Sequence, residues 1–347
     1  MYLRAHHVVC DGMGGMALTG LLLDDPGQPG ASRPERVAAD PAPAPPPNGT
    51  RWPALTVTLD IRDVVRPLAA GVTAALSVDS LDTAVHRVQH GLHLLDSVSR
   101  QVVLGLPFSS LPPSGSVTSR FEVISVPGAR SAALSLGGSR KDLVVAAAAA
   151  GLGLYLERIG APCPELRLAT PTSRQRSGGA GGNWFAPLRI EIPTASAHPG
   201  PHFGVVASRL AEARAEPALG LTGPLAAALS RLPNRLLLPI MHAQMSSIDF
   251  IATALPGLRR TRTVAGVVVA ASYPFGPRLG CPMNMTALGN EDRLDVGISL
   301  DPGAVAEPDV LLECMDEALR GFVPGHGTRS RRPAAAASPP GEPLMGS

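Results

Sequence analysis

A chain of 347 residues is long enough for two domains of ordinary size, each able to bury its own core. With 45% hydrophobic and 17% charged residues it does not have the composition of a disordered chain, and a formal net charge of +2 gives no basic field of the kind that binds nucleic acid. Aromatic residues make up only 3%, so the core is built from Ala, Val and Leu.

The cysteines, Cys10, Cys163, Cys281 and Cys314, lie far apart, with no paired spacing and no histidine pattern that completes a familiar metal motif. They are expected to be reduced, the compartment cytosolic, and no metal site is expected. Two histidines and an aspartate interrupt what would have to be an apolar signal core, which argues against secretion. The most apolar run, 143–156, stops between Asp142 and Glu157, short of the roughly 20 residues that a membrane span needs.

In chain order, the first distinctive stretch is LRAHHVVCDGMGG, residues 3–15, where His6, His7, Asp11 and Gly12 close a short apolar run. Residues 24–53 carry nine prolines and no apolar periodicity, the composition of a connector. From 79 to 103, Leu81, Val85, Val88, Leu92 and Leu95 recur at steps of four and three, predicting an amphipathic helix capped by Asp79 or Ser80. His86, His90 and His93 fall on the opposite, polar face of that helix and are read as solvated side chains rather than metal ligands.

RFEVISVP alternates like a strand, and SRKDLVVAAAAAGLGLYLERIG predicts a capped, alanine-rich helix ending at Gly160. LRLATPTS and FAPLRIEIP predict strands around a glycine-rich turn, followed by a helix over HFGVVASRLAEARAEP. AGVVVAASYPF, NMTAL and RLDVGISLD predict further strands, and PDVLLECMDEALRGF a closing helix started by Pro308. The tail from about 325 is read as disordered. Strands and helices that do not strictly alternate indicate an α+β fold rather than a doubly wound sheet.

The opening motif carries the chemistry. Histidine takes and returns a proton near neutral pH, which suits deprotonation of an attacking hydroxyl or amine. The glycines after Asp11 allow a tight turn where a substrate approaches the backbone, and an aspartate four residues after a histidine fixes the loop. There is no GxSxG, no Walker loop and no HExxH, so covalent serine catalysis, phosphoryl transfer and zinc hydrolysis lack their usual support.

HHVVCDG resembles the HHxxxDG signature of acyl-CoA-dependent and carrier-dependent acyltransferases. The later blocks, SRKDLVV, RLATPTSRQRSGGAGGNWFAPLRIEIPT, DFIATALPGL and CPMNMTALGNEDRLDVGISLD, resemble in their order the carboxy-terminal part of bacterial wax ester synthase/diacylglycerol acyltransferases (WS/DGAT). The resemblance covers most of residues 3–323. It implies a two-lobed, chloramphenicol-acetyltransferase-like α+β fold: residues 1–110 would be the remainder of the first lobe and 111–324 the second, with a tail at 325–347. It further implies transfer of a fatty acyl group from acyl-CoA, a co-substrate and not a bound cofactor, to diacylglycerol or a long-chain alcohol. Water-insoluble substrates imply contact with a membrane or lipid-droplet surface, at the inner membrane face.

By the same resemblance His7 is the general base, with His6 and Asp11 in support and Asp11 structural; Asn284 orients or stabilises the oxyanion. Gly12, Gly182, Asn183, Pro256 and Gly257 match substrate-side positions. Four positions depart from the family pattern: Lys141 and Ala254 stand where asparagines are usual, and Gly289 and Asn290 replace a serine-tyrosine pair. Only MYLRA precedes the motif, where family members carry most of a lobe, so the chain is expected to be amino-terminally truncated, poorly soluble and inactive as written. Two alternatives stand beside the enzyme reading: a carrier-protein-dependent condensation-type acyltransferase, and a non-catalytic remnant that binds lipid or a partner.

Overall fold

The computed structural model describes residues 1–4, 12–24, 111–116, 118–173, 185–194, 198–215, 233, 235, 248–258 and 261–325. The helix expected at 79–103, the connector beyond Asp24 and the tail beyond Gly325 lie outside the described residues.

A mixed six-stranded sheet organises the described residues. Its strands are β1 (Arg120–Val126), β2 (Glu165–Ser173), β3 (Phe185–Pro193), β4 (Phe250–Pro256), β7 (Met283–Asn290) and β8 (Arg293–Leu300). Their order is β1-β8-β7-β4-β2-β3, parallel where β4 meets β7 and β2 and antiparallel elsewhere. A short hairpin, β5 (Thr263–Val264) with β6 (Val267–Val268), stands apart from it. The helices are α1 (Gly12–Leu22), α2 (Ala129–Ser135), α3 (Arg140–Arg158), α4 (Pro199–Arg214) and α5 (Pro308–Phe322). Parallel strands within a largely antiparallel sheet give the α+β class that the sequence predicted.

One face of the sheet makes the core, because alternate strand residues point to it. Met283, Met285 and Ala287 of β7 and Leu294, Val296, Ile298 and Leu300 of β8 are buried there with Ile124 and Val126 of β1. Against them lies α3, buried along nearly its whole length. A capping box starts it: Ser139 accepts from the Asp142 backbone N–H, and the Asp142 carboxylate accepts from that of Ser139. Small residues bring its neighbours close, since a Cβ added at Gly153 would lie 2.7 Å from the Thr194 side chain. Gly160, at φ +76°, then turns the chain out of the helix, as expected for glycine beyond a C-cap.

His202 of α4 joins this core, 3% exposed. Its Nε2 donates to the Ala146 carbonyl at 3.3 Å, its ring lies 5.9 Å from that of Phe322, and Nδ1 has no hydrogen-bond partner among the described residues. Burial lowers its pKa below 6.5, against the opposing Ala146 bond, so the folded protein holds a neutral imidazole. The unfolded chain therefore takes up this proton first, and stability is expected to fall as pH drops below 6.5. Urea unfolding across that range should show the slope in the parent and a shallower one in His202→Gln. Equal slopes would reject this account.

The stretch expected as a strand at AGVVVAASYPF forms only the two-residue β6. Ala265 and Gly266 take left-handed conformations, φ 49° and 80°, in the hairpin turn. Val269 N–H still donates to the Arg262 carbonyl at 2.8 Å, and beyond it side chains take over: Ser272 N–H donates to Asp295, and Tyr273 Oη pairs with Ser125 Oγ at 2.9 Å. No helix among the described residues is long and apolar enough to cross a membrane.

Candidate active site

The second face of the sheet is polar and carries the candidate residues. Ser125, Asp295, Ser299, Asn284, Thr286 and Thr253 occupy the strand positions that alternate with the core residues. Residues 272–281 run across this face as a strap. Gly276 and Gly297 permit the close approach, since a Cβ at Gly276 would lie 2.7 Å from Asn284 Nδ2, and one at Gly297 would overlap the Pro274 carbonyl oxygen.

Two buried aspartates hold the strap down. Asp295 accepts from Ser125 Oγ at 3.0 Å, from the Ser272 backbone N–H at 3.1 Å and from Asn290 Nδ2 at 2.7 Å. Asp301 is fully buried and accepts from Ser114 and Gly303, and Arg278 lies 3.1 Å away. Burial alone would push its carboxyl up; the bonds from Ser114 and Gly303 and the Arg278 charge outweigh it and hold the carboxyl below its usual value. Arg278 also donates to the Ser116 and Thr118 carbonyls at 2.6 and 2.9 Å.

His6, His7, Asp11, Gly182 and Asn183 lie outside the described residues. Gly12, which ends the motif, starts α1 and rests against β4: a Cβ there would lie 2.8 Å from Leu255 Cδ1. The far end of α1 is fastened as well, because Asp24 and Thr263 exchange backbone bonds of 2.8 and 3.0 Å.

Pro256 and Gly257 form the corner where β4 ends. The Gly257 N–H donates to the Gly289 carbonyl at 3.1 Å, and the Leu258 N–H donates to Asn290 Oδ1 at 2.8 Å. A side chain at Gly257 would collide with Asn290, so the corner needs glycine. Asn290 thus bridges Leu258 and Asp295. Beside this corner opens a cleft of about 500 Å³, lined by Gly128, Leu258, Arg262, Ala271, Asn290 and Arg293.

Gly12, Pro256 and Gly257 therefore meet at the end of β4. Asn284 does not join them. It pairs with Ile251, four residues before Leu255, about 13 Å away along the strand. It is 4% exposed, its Nδ2 donates to the Pro277 carbonyl at 2.8 Å, and its Oδ1 accepts from Thr286 Oγ1 at 2.7 Å. In this arrangement Asn284 fastens the strap to the sheet. Asn284→Ala is expected to cost about 1–3 kcal/mol by leaving buried partners unsatisfied, read as a lower urea midpoint.

Asp295, Asp301 and Arg278 shape the site, yet motif reasoning did not single them out, and it marked Asn290 only as a departure from the family pattern. The alternation of RLDVGISLD puts Asp295, Ser299 and Asp301 on the face away from the core, which was the available signal. Among the described residues no cluster of His, Cys, Asp and Glu is arranged to hold a metal ion. Cys281 is buried, and burial pushes its thiol up to about 12, so it is an inert packing residue.

Residues 181–322, which run through β3, α4, β4 to β8 and α5, match the WS/DGAT C-terminal domain family. Proteins of two Mycobacterium tuberculosis strains, provisionally named as diacylglycerol O-acyltransferases, are each 25% identical over 339 residues, covering 91% of this chain. The chain spans 64% of the length of these relatives. Among solved structures, the wax ester synthase/diacylglycerol acyltransferase of Marinobacter aquaeolei VT8 aligns with 67% of this chain and 56% of its own, at 18% identity and a TM-score of 0.49. A condensation domain of the monacolin K polyketide synthase aligns with 70% of this chain and 59% of its own, at 12% identity and a TM-score of 0.44. The WS/DGAT match begins before β3 and ends with α5, so it takes in the Pro256–Gly257 corner, the strap and both buried aspartates. Over residues 181–322 the chain is thus similar to the WS/DGAT C-terminal domain family.

Proposed function

We propose that this chain works as an O-acyltransferase of the WS/DGAT type, moving a fatty acyl group from acyl-CoA to the hydroxyl of diacylglycerol or a long-chain alcohol. One observation carries the reading: a single chain joins the His6-His7-x-x-x-Asp11-Gly12 motif to a WS/DGAT C-terminal domain. The match to that domain favours acyl-CoA over a carrier-bound donor.

In this mechanism His7, as neutral imidazole, takes the proton of the acceptor hydroxyl while its oxygen attacks the thioester carbonyl. The carbon–sulfur bond breaks, the ester forms, and the thiolate leaves with the proton that His7 returns. His6 and Asp11 hold the motif loop in place. The Gly12 contact with Leu255 supports a base positioned near the β4 corner, beside the cleft that Leu258 and Asn290 line. Asn284 supports the site through the strap, and an oxyanion contact from it would require its bond to Pro277 to open.

Contact with a lipid surface is supported by α1, whose eleven residues, GMGGMALTGLL, include no charged side chain and leave Leu21 83% exposed. The test is acyl transfer from a long-chain acyl-CoA to a fatty alcohol and to diacylglycerol. It is run with the 347-residue chain and with a form extended through any upstream reading frame. Ester formation by either form supports the reading, and silence from both turns it toward a lipid-binding or partner-binding remnant.

A further inference from the structure

The β5–β6 hairpin presents apolar side chains on both of its faces. Thr263 pairs with Val268 and Val264 with Val267, so Val267 and Val268 point to opposite sides, and they are 71% and 58% exposed. Ala265 and Gly266, both left-handed, make the two-residue turn between the strands. A strand pair that lies on a protein surface needs one apolar face and keeps the other polar. Apolar side chains on both sides suit a medium that surrounds the hairpin.

The charges around it point to the same medium. From Thr263 to Pro277 there is no charged residue, and from Phe250 to Asn290 there are four arginines and no acidic residue. Arg259, Arg260 and Arg262 come just before β5, while Arg278 is taken up by the buried pair with Asp301. Backbone bonds between Thr263 and Asp24 bring the end of α1 to the base of the hairpin, and the nearby Leu21 and Leu22 are exposed. Residues 12–23 are likewise without charge. Acidic residues by the hairpin are Asp24 at its base, and Glu291 and Asp292, which line the cleft together with Val268, Arg262 and Arg293. Asp292 is turned to Ser131, accepting from its backbone N–H at 2.8 Å.

We propose that the β5–β6 hairpin dips into a membrane surface carrying anionic phospholipids, with Val267 and Val268 below the headgroups and the arginines of 259–262 at their level. Strands of two residues reach about 7 Å at 3.3 Å per residue, within the roughly 5–10 Å that interfacial elements occupy. The backbone of the turn then stays close to hydrated headgroups, where its polar groups find partners. Guanidinium groups donate to the phosphate oxygens of those headgroups. The proposal rests on the lipid-surface contact proposed above, and assigns to it a second element and a class of lipid.

The full 347-residue chain is sedimented with phosphatidylcholine vesicles and with vesicles of about one-third phosphatidylglycerol. Binding to the anionic vesicles, weakened by salt, is the expected result. Val267→Asp combined with Val268→Asp should weaken it about tenfold or more at an unchanged urea midpoint, because side chains that lipid covers become charged. Arg262→Gln should weaken it about fivefold. If the aspartate variant does not fold, Val267→Trp decides: brominated lipid should quench the added fluorescence, and an unquenched tryptophan rejects the insertion. No binding by the parent, or equal binding by parent and double variant, overturns the proposal. So does a parent that pairs with a second copy through these valines when no lipid is present. Release by Leu21→Asp alone, with the hairpin variants still bound, would leave the lipid contact to α1 and reject the hairpin. Ester formation is read in none of these arms, so their outcome is separate from that of the acyltransferase reading.

Discussion

His7→Ala is expected to lower acyl transfer by about 10²–10⁴-fold, the usual contribution of a positioned general base. The effect should appear in kcat as well as kcat/KM, because the proton moves only as the acceptor oxygen attacks. The measurement is ester formation from a long-chain acyl-CoA, in whichever form of the chain is active, beside the unfolding midpoint of the same variant. A loss of activity with an unchanged midpoint assigns the chemistry to the imidazole. Asp11→Ala provides the contrast: a residue that only fixes the loop should lower the midpoint and activity together. If His7→Ala transfers acyl groups like the parent, the motif does not supply the base. The fold is untouched by that result, because α1 is held through Gly12 and Asp24.

Arg278→Ala should be the most damaging single change to stability. Removing one partner of a buried ion pair leaves the other charge uncompensated and typically costs about 3–5 kcal/mol. Here the Arg278 side chain is 7% exposed and that of Asp301 1%, and the loss also strips the Ser116 and Thr118 carbonyls of their donor. Urea unfolding of Arg278→Ala, Asp301→Ala and the double variant forms a cycle. The double variant is expected to be less destabilised than the sum of the singles, since neither charge then remains buried alone. Additive losses would show that the pair is not coupled. The low carboxyl pKa of Asp301 adds an acid limb: its contribution is present above 3.8, the ordinary value, and is lost as pH falls through the folded value below it. Asp301→Asn should flatten that limb.

Most of the helices and strands were legible in the sequence for identifiable reasons. α3 announced itself through Ser139, Asp142 and Gly160, which cap and stop it, and α5 through Pro308. β8 showed the alternation of a strand with one face in the core. β4 was harder: FIATALP lies in a block that stood out only by resemblance, and its short apolar run fits helix and strand alike. VVVAASYPF misled because β-branched residues mark exposed hairpins as well as ladders, and its partners are the side chains of Asp295 and Ser125, distant in sequence. The geometry of the candidate site was not legible. Sequence pointed to the histidine motif and to Asn284 together, whereas in space the motif's Gly12 meets the Pro256–Gly257 corner and Asn284 lies far along the same face. A strand period tells which face a residue occupies; it does not tell which loop covers that face.

The sheet's order sets a timetable for the newly made chain. Among the described residues β1 is an edge strand with β8 as its one neighbour, Arg120 opposite Leu300, so the first described strand of the sheet to leave the ribosome waits for the last. Until then its backbone edge is open to any other strand, and so is that of β7 where β8 will add. Pairing across so much chain is slow to form, and in the meantime α3, with its apolar faces, has no finished sheet to cover. Synthesis at reduced temperature or with chaperones that mask exposed edges should therefore raise the yield of folded protein, and chains that stop before Arg293 should collect in the insoluble fraction.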